Sequence, residues 1–190
     1  MSHPIRLIVG LGNPGAHYAA TRHNVGAWFI DHFAKNQHVP LCLNKKFRGF
    51  VGEFTHQNEK CFLLKPVTYM NESGLSVSVF AQFYKITAPE ILVVHDELDF
   101  ASGVVRLKQG GGHGGHNGLR DIVSHMGADF YRLRIGIGHP GHRDDVTNYV
   151  LGTPNHDDHQ SINTAIEESM SVMPELLAGE FQKAFHALHS

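Results

Sequence analysis

The sequence predicts an α/β fold in a single domain over residues 1–190: a twisted, mixed and mostly parallel sheet with helices on both faces. Three observations point to it. Apolar runs of strand length, Ile5–Leu11, Ile91–Val94 and Phe130–Ile137, alternate with segments whose apolar residues recur at helical spacing. Two further runs flank a short polar turn and add an antiparallel hairpin. At 190 residues and 42% hydrophobic content, the chain can bury one substantial core but not two comfortable ones.

The first run, Ile5–Leu11, reads as a buried strand that breaks into Gly12-Asn13-Pro14-Gly15, a tight turn that exposes polar groups. His23 follows, flanked by Arg22 and Asn24. A helix over Val25–Asn36 carries Val25, Trp28, Phe29 and Phe33 on one face, and aromatics at that spacing belong to a core. The basic, loop-like segment Asn44–Arg48 leads into a hairpin of Gly49–Thr55 and Cys61–Lys65 across Gln57-Asn58-Glu59. Pro66–Gly74 again runs from a strand into a polar turn, with Ser73 as the cap of a helix through Tyr84.

Strand Ile91–Val94 stops abruptly at His95-Asp96-Glu97. A carboxylate at the end of a buried strand is costly unless paired, which makes Asp96 a partner for a histidine. Strand Val104–Lys108 sets Arg106 and Lys108 on one face and enters the glycine-dominated run Gly110–Gly118, where a ligand can approach the backbone closely. That run joins a strand to a helix (Leu119–Met126) and carries His and Asn, which argues against a flexible linker. Phe130–Ile137 presents Arg132 and Arg134 on one face. After the turn His139–His142 the chain becomes helical: Asn155 caps a helix to about Met173, and Leu176, Leu177, Phe181, Phe185 and Leu188 mark an apolar stripe over Glu175–Leu188. In this reading four strand ends bring Asn13, His23, Asn71, Asp96, His116 and Asn117 to one rim, where α/β proteins commonly bind ligands.

Composition narrows the function classes. No apolar run is long enough to span a bilayer, and the first residues lack a signal-peptide core. Two cysteines, Cys42 and Cys61, make no disulfide scaffold, so a reducing cytoplasm is the default location. The formal net charge of −2 excludes a general basic coat and leaves room for a local basic patch. Gly10-Leu-Gly-Asn-Pro-Gly15 matches the spacing of a dinucleotide fingerprint, but Pro14-Gly15 favours a turn over a helix start, and no second strand ends in an acid at the required distance. No Lys-Ser or Lys-Thr follows the later glycines, which excludes a P-loop. Histidine, with 16 copies, forms three i, i+3 pairs (His113/His116, His139/His142, His156/His159), and none carries a recognised third ligand.

A histidine backed by a buried carboxylate is a general base whose imidazolium is stabilised as it forms. Asparagines donate to an oxyanion without adding charge. With no G-x-S-x-G elbow present, water is the nucleophile, and the set suits hydrolysis of an activated carbonyl such as an ester. Five segments then carry a specific likeness: Gly10–Gly15 with Tyr18 and Thr21-Arg-His-Asn24-x-Gly26; Pro66-x-Thr68-Tyr-Met-Asn71-x-Ser-Gly74; His95–Asp99; Gly110–Gly118; and Arg132-Leu-Arg-Ile-Gly-Ile-Gly138. In order and spacing the chain resembles the bacterial-type peptidyl-tRNA hydrolase family.

The resemblance implies cleavage of the ester joining a peptide to the 3′ ribose of tRNA, with no metal and no cofactor, by a cytoplasmic monomer that needs no membrane or obligate protein partner. By that likeness His23 is the base, Asp96 holds and polarises it, Asn71 and Asn117 bind substrate and steady the oxyanion, and Asn13 reads the peptide amide. Tyr18, Tyr69 and Met70 resemble channel walls for the peptide and the 3′ CCA end, although phenylalanine is common where Tyr69 stands. Lys108 and Arg134 resemble a clamp for the tRNA 5′ phosphate beside the acceptor stem, and His116 neighbours Asn117 on the binding side. The competing readings are a metal hydrolase on His23, His113 and His116, and a non-catalytic RNA-binding protein. The latter is disfavoured by His23, Asp96 and the three asparagines together.

Overall fold

The structure, a computed structural model, describes residues 3–189. Its strands are β1 (Leu7–Gly10), β2 (Cys42–Asn44), β3 (Gly49–His56), β4 (Glu59–Pro66), β5 (Ile91–Glu97), β6 (Val105–Gln109) and β7 (Tyr131–Gly136). The helices are α1 (Val25–Asn36), α2 (Ser73–Tyr84), α3 (Asn117–Met126), α4 (Val146–Val150), α5 (His156–Met170), α6 (Met173–Ala178) and α7 (Phe181–His189). One sheet holds all seven strands in the order β2-β3-β4-β1-β5-β7-β6. Its centre is parallel, through β4-β1, β1-β5 and β5-β7. Both edges are antiparallel, so the mixed α/β sheet matches the sequence expectation.

Alternation along the central strands divides the core into two layers. Ile8, Leu63, Leu92 and Leu133 pack with α1, α5, α6 and α7. Leu7, Val9, Leu64 and Val93 pack with α2 and α3 on the opposite face. No helix among the described residues is long and apolar enough to cross a membrane.

The early glycines serve packing, not a cofactor. A methyl on Gly10 would lie 2.2 Å from the Gly26 carbonyl oxygen, so α1 crosses β1 backbone to backbone. Gly15 turns the chain at φ +92°, and the next long helix starts only at Val25. No helix N-terminus therefore follows the glycines where a pyrophosphate would need one.

Several expectations need correction. β5 continues to Glu97 because β7 supplies paired backbone as far as Gly136, so Asp96 lies inside the sheet opposite Ile135. β6 is antiparallel to β7, with Gln109 opposite Tyr131. The glycine run therefore leaves from the end of the sheet remote from the rim and climbs back to reach it at His116. Asn117 belongs to α3 and not to the loop, and His116 is the helix cap. Ser73 is the first residue of α2 and no cap: its hydroxyl donates to the Met70 carbonyl at 2.7 Å. The stripe over Glu175–Leu188 is two helices divided at Gly179, whose left-handed φ of +78° ends the first; the apolar period runs through the break because both segments face the same core layer. The short strand β2 gave no sequence signal.

Candidate active site

His23 lies in a single 3₁₀ turn, Arg22–Asn24, pressed between the end of β1 and the start of α1. Arg22 fixes that turn from outside. Its guanidinium covers the Tyr149 ring at 4.0 Å and donates to the Tyr149 carbonyl at 3.0 Å, which ties α4 to the site. Asn24 fixes it from inside: its Oδ1 accepts from Asn13 N at 2.8 Å and its Nδ2 donates to Asn13 O at 2.9 Å. Sequence reasoning gave Asn24 no role beyond its place beside His23 at the start of the apolar helix face.

His23 Nδ1 stands 2.9 Å from Asp96 Oδ2 and 3.1 Å from Oδ1. Asp96 is 3% exposed and His23 8%. A second imidazole reaches the same carboxylate, with His116 Nε2 2.8 Å from Asp96 Oδ1. His116 Nδ1 accepts from the Gly118 and Leu119 amides at 3.1 and 3.3 Å, so its proton must sit on Nε2 and point at Asp96. Asp96 therefore accepts from two imidazoles. Nδ1 of His23 carries the proton toward the acid, and Nε2 is left as a bare acceptor facing the cleft.

The electrostatics follow from these contacts. Burial alone would raise the Asp96 pKa, but the charges and hydrogen bonds of His23 and His116 hold it well below the usual carboxylate range. Burial works to lower the His23 pKa, and the Asp96 charge and hydrogen bond outweigh it, so the net shift is upward. His95 lies beside them without a carboxylate partner: its Nδ1 donates to the Asp96 backbone carbonyl at 2.8 Å. Burial first, then the electrostatic influence of the neighbouring His116, brings its pKa down to about 3, so it stays neutral.

The cleft in front of His23 has a volume of about 470 Å³. Asn13, Asn71, Asn117, Tyr18, Tyr69, Met70 and His116 line it as expected from the sequence, and Leu98, Val146, Val150 and Leu151 complete an apolar wall that the sequence did not reveal. Two of the three asparagines are oriented by their contacts. Asn13 Oδ1 accepts from Met70 N at 2.7 Å, which leaves its amide N–H groups for a ligand. Asn117 Oδ1 accepts from Arg120 at 3.3 Å, with the same result. Lys108 and Arg134 do not line this cleft. They project from β6 and β7 on the face opposite Val105, Leu107, Leu133 and Ile135. On that face the guanidinium of Arg132, a residue only 2% exposed, donates to the carbonyls of Gly111 and Gly112 and holds the glycine run down.

His23, Asp96 and His116 are the one cluster among the described residues compact enough to hold a metal, their ligand atoms lying within 4.8 Å of one another. Asp96, not His113, completes the trio. His113 Nδ1 instead accepts from Gly115 N at 3.0 Å. The 2.8 and 2.9 Å contacts are hydrogen-bond lengths, shorter than the edge of about 3.3 Å that separates ligands of a tetrahedral zinc with bonds near 2.0 Å. A cation there would have to break both hydrogen bonds.

The family model described as peptidyl-tRNA hydrolase matches residues 7–190. A peptidyl-tRNA hydrolase of Coxiella burnetii is 56% identical over the whole of both chains. One from Pseudomonas aeruginosa is 51% identical over 98% of this chain and 97% of its own. The crystal structure of peptidyl-tRNA hydrolase from Acinetobacter baumannii superposes with a TM-score of 0.95 at 48% identity, over 99% of this chain and 97% of that one. A match of this extent, carried by sequence and fold alike, shows that the chain belongs to the peptidyl-tRNA hydrolase family.

Proposed function

We propose that this protein hydrolyses the ester between a peptide and the 3′ ribose of tRNA, freeing tRNA from prematurely released peptidyl-tRNA, with water activated by His23 and no metal or cofactor. The observation that carries the proposal is the Asp96–His23 contact at 2.9 Å, with Nε2 of His23 turned to a cleft edged by three asparagines. In this reading Nε2 takes a proton from water as the water oxygen bonds to the ester carbon. Asp96 stabilises the imidazolium, and amide N–H groups of Asn71 and Asn117 meet the oxyanion. The C–O bond to the ribose then breaks, and the imidazolium returns its proton to the 3′ oxygen. Asn13, with its oxygen already engaged, donates to the peptide backbone; this separates an N-blocked substrate from a free aminoacyl ester.

Tyr18, Tyr69 and Met70 wall the channel for the 3′ CCA end and the peptide, and His116 fixes Asp96 and the start of α3. Lys108 and Arg134 receive the 5′ phosphate. The enzyme acts as a cytoplasmic monomer. The test is single-turnover cleavage of N-acetyl-aminoacyl-tRNA against aminoacyl-tRNA. His23→Ala is expected to lower the rate by about 10²–10⁴-fold while keeping tRNA affinity, since it removes only the base. Near-normal turnover would overturn the assignment, and so would complete loss of wild-type activity on dialysis against a chelator.

A further inference from the structure

A second groove, about 360 Å³, opens at the same rim on the β2–β3 side of the cleft. Tyr69 is the partition, since it lines both. The groove combines exposed apolar surface, with Leu43 53% and Tyr69 58% exposed, with the cations Lys45 and Arg48 and one acid, Glu72. Among the described residues neither Lys45 nor Arg48 has a carboxylate oxygen within 4.0 Å, whereas Arg6, Lys60, Lys65, Arg134, Arg143 and Lys183 do. The turn that carries them is anchored. Phe47 is buried under it against Phe80, Ser76 donates to the Phe47 carbonyl at 2.6 Å, and Val67 N donates to the Arg48 carbonyl at 2.8 Å.

The sheet supplies a direction. Lys108 and Arg134 stand on β6 and β7 at one edge, the His23–Asp96 pair at β1 and β5 in the middle, and the Lys45–Arg48 turn between β2 and β3 at the other edge. β3 begins at Gly49 opposite Pro66, the last residue of β4, so this turn lies at the rim where the cleft is. An ester whose RNA half runs toward β6 and β7 has its acyl half running the other way, past Tyr69. We propose that this groove receives the peptidyl half of the substrate and selects peptides with carboxylate side chains upstream of the esterified residue. The proposal rests on the hydrolase reading above. An aromatic plate beside two cations also suits single-stranded RNA, and the test separates that occupant.

The experiment compares three N-acetylated tripeptidyl-tRNAs with the same esterified residue and either Glu-Glu, Gln-Gln or Lys-Lys upstream, with N-acetyl-aminoacyl-tRNA as the short substrate. For the wild-type enzyme kcat/KM is expected to fall in the order Glu-Glu, Gln-Gln, Lys-Lys. About fivefold should separate the first two, as two exposed ion pairs supply, and the gap should narrow at high salt. Lys45→Glu with Arg48→Glu is expected to reverse the order. Lys45→Glu alone, which avoids the strained φ of +52° at Arg48, should flatten it. Equal kcat/KM for the three peptides would overturn the groove while leaving the hydrolase intact. A variant that loses the same factor on all three peptides and on binding of deacylated tRNA would also overturn it, by marking an RNA surface. Failure of the wild type on the short substrate would instead overturn the hydrolase reading itself.

Discussion

At the scale of single residues, the decisive feature is that Asp96 stays ionised where an unpaired carboxylate would take up a proton. Two imidazole N–H groups make that possible, and only one of them belongs to His23, the proposed base. His95 shows the contrast: it is buried more deeply than His23 and hydrogen-bonds a carbonyl instead of a carboxylate, and its pKa falls where that of His23 rises. Burial lowers both, and only at His23 does a direct carboxylate contact outweigh it. His23 must be neutral to accept a proton from water, so kcat/KM is expected to drop as pH falls through a pKa above the ordinary 6.5. An acid limb centred at pH 6 or lower in a profile of kcat/KM from pH 5 to 9 would refute the assignment. Asp96→Asn removes the charge that outweighs burial. The limb should then move to lower pH, with kcat/KM reduced by about 10²–10⁴-fold through loss of orientation and charge stabilisation. A variant with an unmoved limb and full activity would refute it.

Among elements, the contact of α1 with β1 and β5 sets the position of His23. A methyl on Gly26 would lie 2.2 Å from Val94 O and 2.6 Å from Leu11 N, neither of which can move without opening the sheet. Gly26→Ala is expected to cost about 3 kcal/mol and lower Tm by about 6–12 °C, with turnover reduced below the new Tm because His23 lies three residues before it. Calorimetry showing an unchanged Tm would contradict that packing. The ends of α1 were legible in the sequence because its apolar face repeats cleanly from Val25 to Phe33. Asn13, Asn71 and Asp96 stood out in the sequence as polar residues close after an apolar run, and His23 as a polar residue just before the apolar face of α1. The direction of β6 was not, since a single sequence does not say which strand a strand pairs with. The path of the glycine run and the capping role of His116 were hidden for the same reason. Asn24, Arg132 and the α4 wall escaped because their work is contact with segments distant in sequence: Arg132 with the Gly111 and Gly112 carbonyls, α4 with Arg22.

For the molecule as a whole, a chain of net charge −2 concentrates cations where one polyanion would lie. Arg106, Lys108, Arg132 and Arg134 share one face of the β6–β7 edge, with Arg106 opposite Arg134 and Lys108 opposite Arg132. They differ in availability. Arg132 is committed to the glycine run, and Arg134 lies 3.6 Å from Glu97 and over the Phe100 ring. Lys108 is exposed, with no ion-pair partner among the described residues, so it is the cation freest to meet a phosphate. Lys108→Ala is therefore expected to weaken binding of deacylated tRNA and to reduce the slope of log Kd against log salt by about one unit, as loss of one phosphate contact requires. Cleavage at saturating enzyme should fall by less than the affinity does. An unchanged slope would remove the RNA from this edge. With it would go the orientation that sends the peptide toward Lys45 and Arg48, so a titration at four or five salt concentrations tests the layout of the whole rim.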